Sequence, residues 1–174
     1  MLSRSYPRRR RLRRAALALA GLLPFLAIAL SVSPARALTR QEAIVVVKLV
    51  QALSPEFGRL AYDEQVADDW FEADAESEGR IVRAGFTRET WRVALGATVT
   101  GYIASLPEAE FRARLAAIRE RAATRGTLDE AQRRAMLALV DEVTARLEAM
   151  RREGVAHVEI VRPLAPRLRV LMVE

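Results

Sequence analysis

Apolar side chains recur at steps of three and four along most of residues 38–174, the period of helices buried on one face. Ala43, Val46, Val47, Val50 and Leu53 form the first such stripe. Thr39 and Glu42 precede it at capping-box spacing, which predicts where the helix starts. The run Ile44–Val47 taken alone also fits a strand. Ser54-Pro55 predicts a second start, because proline at the first helical position loses no hydrogen bond, with Phe57, Leu60 and Ala61 facing inward. That pattern continues through Trp70, Ala73, Ser77, Ile81 and Ala84, with Gly79 as an interruption and Gly85-Phe86 as the stop.

Thr87 predicts the cap of a third segment with Trp91, Leu95, Thr98, Val99 and Tyr102 on one face. Gly96 and Gly101 inside it each cost about 1 kcal/mol relative to alanine, which close packing against a neighbour would explain. Tyr102 on that inner face needs a partner for its hydroxyl. Ser105 to Glu108 and Thr127 to Glu130 are two further capping boxes. The first opens a helix with Phe111, Leu115, Ile118 and Ala122 inward. The second opens one carrying Met136, Val140, Val143, Leu147 and Met150, ended by Gly154. The short link at Gly126 predicts an antiparallel pair.

Residues 155–174 look different. Pro163 and Pro166 flank two runs in which apolar and polar residues alternate, His157 to Val161 and Leu168 to Val173. The expected fold is therefore all-α, a bundle-like domain of four to five helices over residues 38–154, with a short β-like C-terminal tail, hairpin or extended, over 155–174.

Residues 1–37 carry a different pattern. Met1 to Arg14 holds seven arginines and no acid, Ala15 to Ser33 is uncharged, and Pro34-Ala35-Arg36-Ala37 places alanine at both positions a signal peptidase reads. This predicts a signal peptide cleaved after Ala37 and a periplasmic or secreted bacterial protein. The alternative is an uncleaved inner-membrane anchor through residues 15–33, although Pro24 breaks that run. The arginine pairs resemble a twin-arginine signal in part, so the sequence leaves the general and twin-arginine routes both open.

Removing the leader reverses the charge argument. The whole chain has 28 basic and 22 acidic side chains, but eight of the basic ones and none of the acids lie in residues 1–37. Residues 38–174 thus carry 20 basic and 22 acidic groups, without the cationic excess that a nucleic-acid surface requires. The absence of cysteine excludes disulfides, thiolate ligands, a cysteine nucleophile and a lipoprotein anchor. Lysine occurs once, at Lys48, and its replacement by arginine elsewhere fits a GC-rich genome.

Eight acids lie between Asp63 and Glu78 with no base among them. On a helix Asp68, Glu72 and Glu76 align, with Asp69 beside them, and a hard cation such as Ca²⁺ would relieve their repulsion. A solvated face neutralised by Arg80, Arg83, Arg88 and Arg92 accounts for the same run. Paired carboxylates could also serve a hydrolase, which requires an enclosed cleft holding two of them. Trp70-Phe71 lies inside the run, with Trp70 expected in the core and Phe71 half-buried or on a partner. His157 is the single histidine, and Ser54, Ser77 and Ser105 are the only serines of residues 38–174, too few for a recognisable triad or His-based metal site. Leu168, Val170 and Met172 of the tail, with Phe71, are the expected partner-binding residues.

The expected function is a non-enzymatic interaction or accessory module of the cell envelope, with no cofactor. It would engage an envelope protein or a second copy of itself, and no nucleic acid. The alternatives are a divalent-cation-binding protein using the acidic helix and a carboxylate-based hydrolase.

Overall fold

Thr39 accepts the Glu42 N–H through its hydroxyl while the Glu42 carboxylate accepts the Thr39 N–H at 2.9 Å, so helix α1 (Arg40–Phe57) begins where its capping box lies. The computed structural model describes residues 37–124 and 129–172; all of the leader but Ala37 therefore lies outside the described residues. Helix α1 does not end at Ser54. The Ser54 hydroxyl donates back to the Val50 carbonyl at 2.7 Å, Pro55 sits in the last turn, and Gly58 stops the helix at φ 84°. Ser54-Pro55 thus lies in the last turn of one helix rather than at the start of the next. Leu60 is fully buried, but in the connection to α2 rather than on a helix face.

Helix α2 (Glu64–Glu76) is capped by Asp63, whose carboxylate accepts the Val66 N–H at 2.7 Å. Gly79, at φ 63°, separates it from the single turn α3 (Arg80–Arg83). The stop after α3 combines two bonds, Phe86 N–H to the Ile81 carbonyl and Gly85 N–H to the Val82 carbonyl, with Gly85 at φ 92°. This is the left-handed glycine ending expected from Ala84-Gly85-Phe86.

Helix α4 (Arg88–Ser105) is the centre of the fold. Trp91, Leu95, Thr98 and Val99 are buried, and burial then runs without a break from Thr98 to Ile103. Trp91 packs edge-on to Phe86 and donates its indole N–H to the Ala67 carbonyl of α2 at 3.0 Å. Trp70 is buried against Phe57, as expected, and Phe71 is half-buried. Ser105 is the last residue of α4 and donates back to the Tyr102 carbonyl, so α5 (Glu108–Ala123) starts at Pro107 without a side-chain cap. The carbonyls that end α4 are met instead by Arg151, which donates to Ile103 at 2.7 Å and Leu106 at 2.8 Å and lies over the Phe111 ring.

Helix α6 (Glu130–Glu153) is capped by Asp129 with Gln132, two residues beyond the box expected at Thr127, which itself lies outside the described residues. Of the expected inner face of α6, Val140 and Met150 are buried, Leu147 is half-buried and Val143 is exposed.

The tail is helical, not β-like. A 3₁₀ turn (Gly154–His157), helix α7 (Val158–Val161), a second 3₁₀ turn (Arg162–Leu164) and helix α8 (Ala165–Leu171) follow one another. Pro163 and Pro166 each fall in a first turn, where proline is tolerated. Val161, Leu164 and Leu168 are buried at helical spacing, and the tail joins the same core as α1 and α4. Among the described residues its one extended contact is a parallel bridge between Leu60 and Met172. The fold class is all-α, with five helices of thirteen or more residues among the described residues. None of the helices there is long and apolar enough to cross a membrane.

Two glycine positions set how closely the tail approaches α4. A Cβ on Gly101 would lie 2.9 Å from both His157 Cβ and Val161 Cγ2, and one on Gly154 would lie 1.9 Å from the Thr100 carbonyl oxygen. The close packing expected at Gly101 is therefore present, and Gly154 is its counterpart on the other side of the crossing.

Candidate functional site

The acidic run does not converge. Arg88 and Arg92, one turn apart on α4, reach across to α2: Arg88 pairs with Glu72, and Arg92 lies 3.6 Å from Asp68. Asp69 and Glu76 are exposed. Asp68, Asp69, Glu72 and Glu76 are thus divided between arginine partners and solvent. Among the described residues no group of three or more Asp, Glu or His side chains stands close enough to hold a metal ion. Asp74 has a different part. It is wholly buried, its Oδ2 accepts the Ile81 N–H at 2.7 Å, and its carbonyl accepts the Gly79 N–H at 2.6 Å. It holds the α2–α3 corner, a structural use that composition alone did not separate from the acids around it. Arg80 closes the same corner, donating to Glu78 at 2.6 Å and to Glu56 of α1 at 3.0 Å. The hydrogen bond from Arg80, and then its charge, hold the Glu78 carboxyl below its ordinary range.

The expected partner-binding residues are dispersed as well. Leu168 is 1% exposed and belongs to the core, whereas Val170 is 71% exposed. Met172 is half-buried in its bridge with Leu60. The alternation that suggested one shared face disappears because this segment is helical. Phe71 is covered in part by Arg88, whose guanidinium lies 5.7 Å from the ring centroid.

A cleft of about 450 Å³ opens instead between α4, α6 and the 154–157 turn. Gly96, Ala97 and Ala149 give it a shallow floor, and Tyr62, Arg92, Arg146, Glu153 and His157 surround it. Gly96 is small for a reason visible here: a Cβ would lie 2.5 Å from the Tyr62 hydroxyl. Arg146 and Glu153, two turns apart on α6, make no ion pair with any described residue. His157 has no hydrogen-bond partner among them to fix its tautomer. The hydroxyls of Ser54, Ser77 and Ser105 are committed elsewhere, each to a helix carbonyl within four residues. None of Asp63, Asp68, Asp69, Glu72, Asp74, Glu76 and Glu78 lines this cleft.

The chain matches no family model, no curated protein and no solved structure. Geometry is therefore the guide to function. The α6 face that lines the cleft through Arg146, Met150 and Glu153 extends back, at steps of three and four, to Val143 and Leu139. These two side chains are 40% and 54% exposed, and Val93 on the cleft's α4 wall is 49% exposed. Sequence periodicity had placed Val143 inside. The arrangement, drawn from four separate segments, has no contiguous signal in the chain.

Proposed function

We propose that this protein is an exported, non-enzymatic interaction module of the bacterial cell envelope, and that it docks an envelope protein or a second copy of itself on the outer face of α6. The observation that supports this reading is the apolar stripe of Leu139 and Val143. Residues four apart lie side by side on a helix, and this pair leads into a shallow cleft with a small-residue floor. An amphipathic segment laid along α6 would cover both side chains and Val93 while its polar groups met Arg146 and Glu153. Export rests on the basic, apolar and A-x-A pattern of residues 1–37.

The test is native mass spectrometry, with cross-linking, of the protein purified gently from the envelope of its own host. The expected species begins at Leu38 and carries a second chain, and the Leu139→Asp/Val143→Asp double variant loses that chain with unchanged circular dichroism. A second chain retained by the double variant, or a monomer in both preparations, refutes docking on α6. A mass that still includes residues 1–37 refutes cleavage.

A further inference from the structure

We infer that a second cleft, between α4, α5, α6 and α8, binds a free medium-chain fatty acid, with the acyl chain inside and the carboxylate at an arginine rim. The cleft has a volume of about 310 Å³. That is at the lower end of the ~300–1,000 Å³ typical of small-molecule sites, room for one short chain rather than a two-chain lipid. Its wall is apolar and drawn from the core itself, including Phe111 and Leu115, both more than nine-tenths buried.

Two features add polar groups to this apolar space. The first is Tyr102, which lines the cleft and is 4% exposed. Its hydroxyl has no hydrogen-bond partner among the described residues, yet it is not among the side-chain atoms sealed from solvent without one. A buried tyrosine hydroxyl normally finds an acceptor. The second feature is the rim, formed by Arg114, Arg121 and Arg169 with no acid in the lining. Glu110 accepts one N–H from each of Arg114 and Arg169, both at 2.8 Å, while Arg121 makes no ion pair among the described residues and donates only to the Ala117 carbonyl. A carboxylate accepts from a guanidinium and a phenol together, and its bonds to a charged donor are the stronger kind. A neutral amphiphile of the same length would fill the space but leave Arg121 without a counter-charge.

The test is calorimetric titration of the exported form, residues 38–174, with sodium decanoate, decan-1-ol and sodium acetate, and with phosphatidylglycerol vesicles. Saturable one-to-one binding of decanoate is expected, with acetate silent, decanol at least tenfold weaker and vesicles without effect. Arg121→Ala should weaken decanoate about tenfold, the loss of roughly one charged hydrogen bond, and leave decanol unchanged. Tyr102→Phe, which keeps the ring and so the packing, should weaken decanoate by a smaller factor. Equal binding of decanol and decanoate, or the absence of any effect of Arg121→Ala, overturns the anionic end. No saturable decanoate binding, or binding to vesicles alone, overturns the site.

Discussion

Replacing Gly154 by alanine isolates the helix crossing from every other contribution, because two opposing effects differ in sign. The backbone there is ordinary right-handed helix, φ −71° and ψ −11°, so a side chain meets no conformational strain. With open space around it, the substitution would stabilise the fold by about 0.5–1 kcal/mol through the unfolded chain. The space is not open: the new Cβ would lie 1.9 Å from the Thr100 carbonyl oxygen and 2.8 Å from the Gly101 nitrogen, all backbone of α4. Restoring normal contact requires the two segments to separate by more than an ångström, and backbone cannot rotate aside as a side chain can. The loss should therefore reach the upper end of overpacking costs, about 3 kcal/mol. For a domain of this size that is a fall in melting temperature of roughly 10 °C. Thermal and urea unfolding followed by circular dichroism read both quantities. Gly101→Ala is the control, since its obstacles are side-chain atoms of His157 and Val161 at 2.9 Å, and its loss should be smaller. An unchanged or raised melting temperature for Gly154→Ala would refute the close approach of the tail to α4.

The tail offers a second test: Leu168→Ala should cost about 2–5 kcal/mol in urea unfolding, as for a fully buried leucine, whereas Val170→Asp should stay within about 0.5 kcal/mol; the reverse order would restore an exposed docking strip there. At the α2–α3 corner, Glu78 should titrate below its ordinary value of 4.5 in carboxyl-detected NMR, and Arg80→Ala should move it back up. Because the folded value is the lower one, the associated stability is present above the unfolded pKa and fades as pH falls through the folded one. An unmoved Glu78 midpoint in Arg80→Ala would refute the assignment.

What the sequence disclosed was what short-range chemistry decides. The Thr39 and Thr87 caps, the Gly85 stop and the break at Gly79 each depend on a few neighbouring residues. The errors arose where two local solutions were available. Thr127 and Asp129 both head a capping box, and the chain uses the second. Ser54 and Ser105 look like caps but donate backwards to carbonyls of the helix they lie in. In the tail, period two through Leu168, Val170 and Met172 competed with the three-and-four spacing of Val161, Leu164 and Leu168, and burial follows the latter. Short apolar runs do not distinguish the two periods. Neither cleft was legible, because each assembles residues far apart in the chain. Tyr102 came nearest: its need for a hydroxyl partner is evident from its place on an inner face, though not where that partner would come from.

The hairpin of α5 and α6 is unevenly anchored. α6 is about 36 Å long, yet Val140 and Met150 are its only buried residues among those described. Arg151 fastens its C-terminal end to α4, whereas nearer Glu130 it is tied to α5 by the Arg119–Asp141 ion pair. Such a segment can open without the core and at a lower free energy than global unfolding. A partner seated over Leu139 and Val143 would bind at the boundary between these two regimes and close the weaker one. Amide exchange in the outer turns of α6 would then measure occupancy, while the core around Trp91 exchanged at its own unaltered rate.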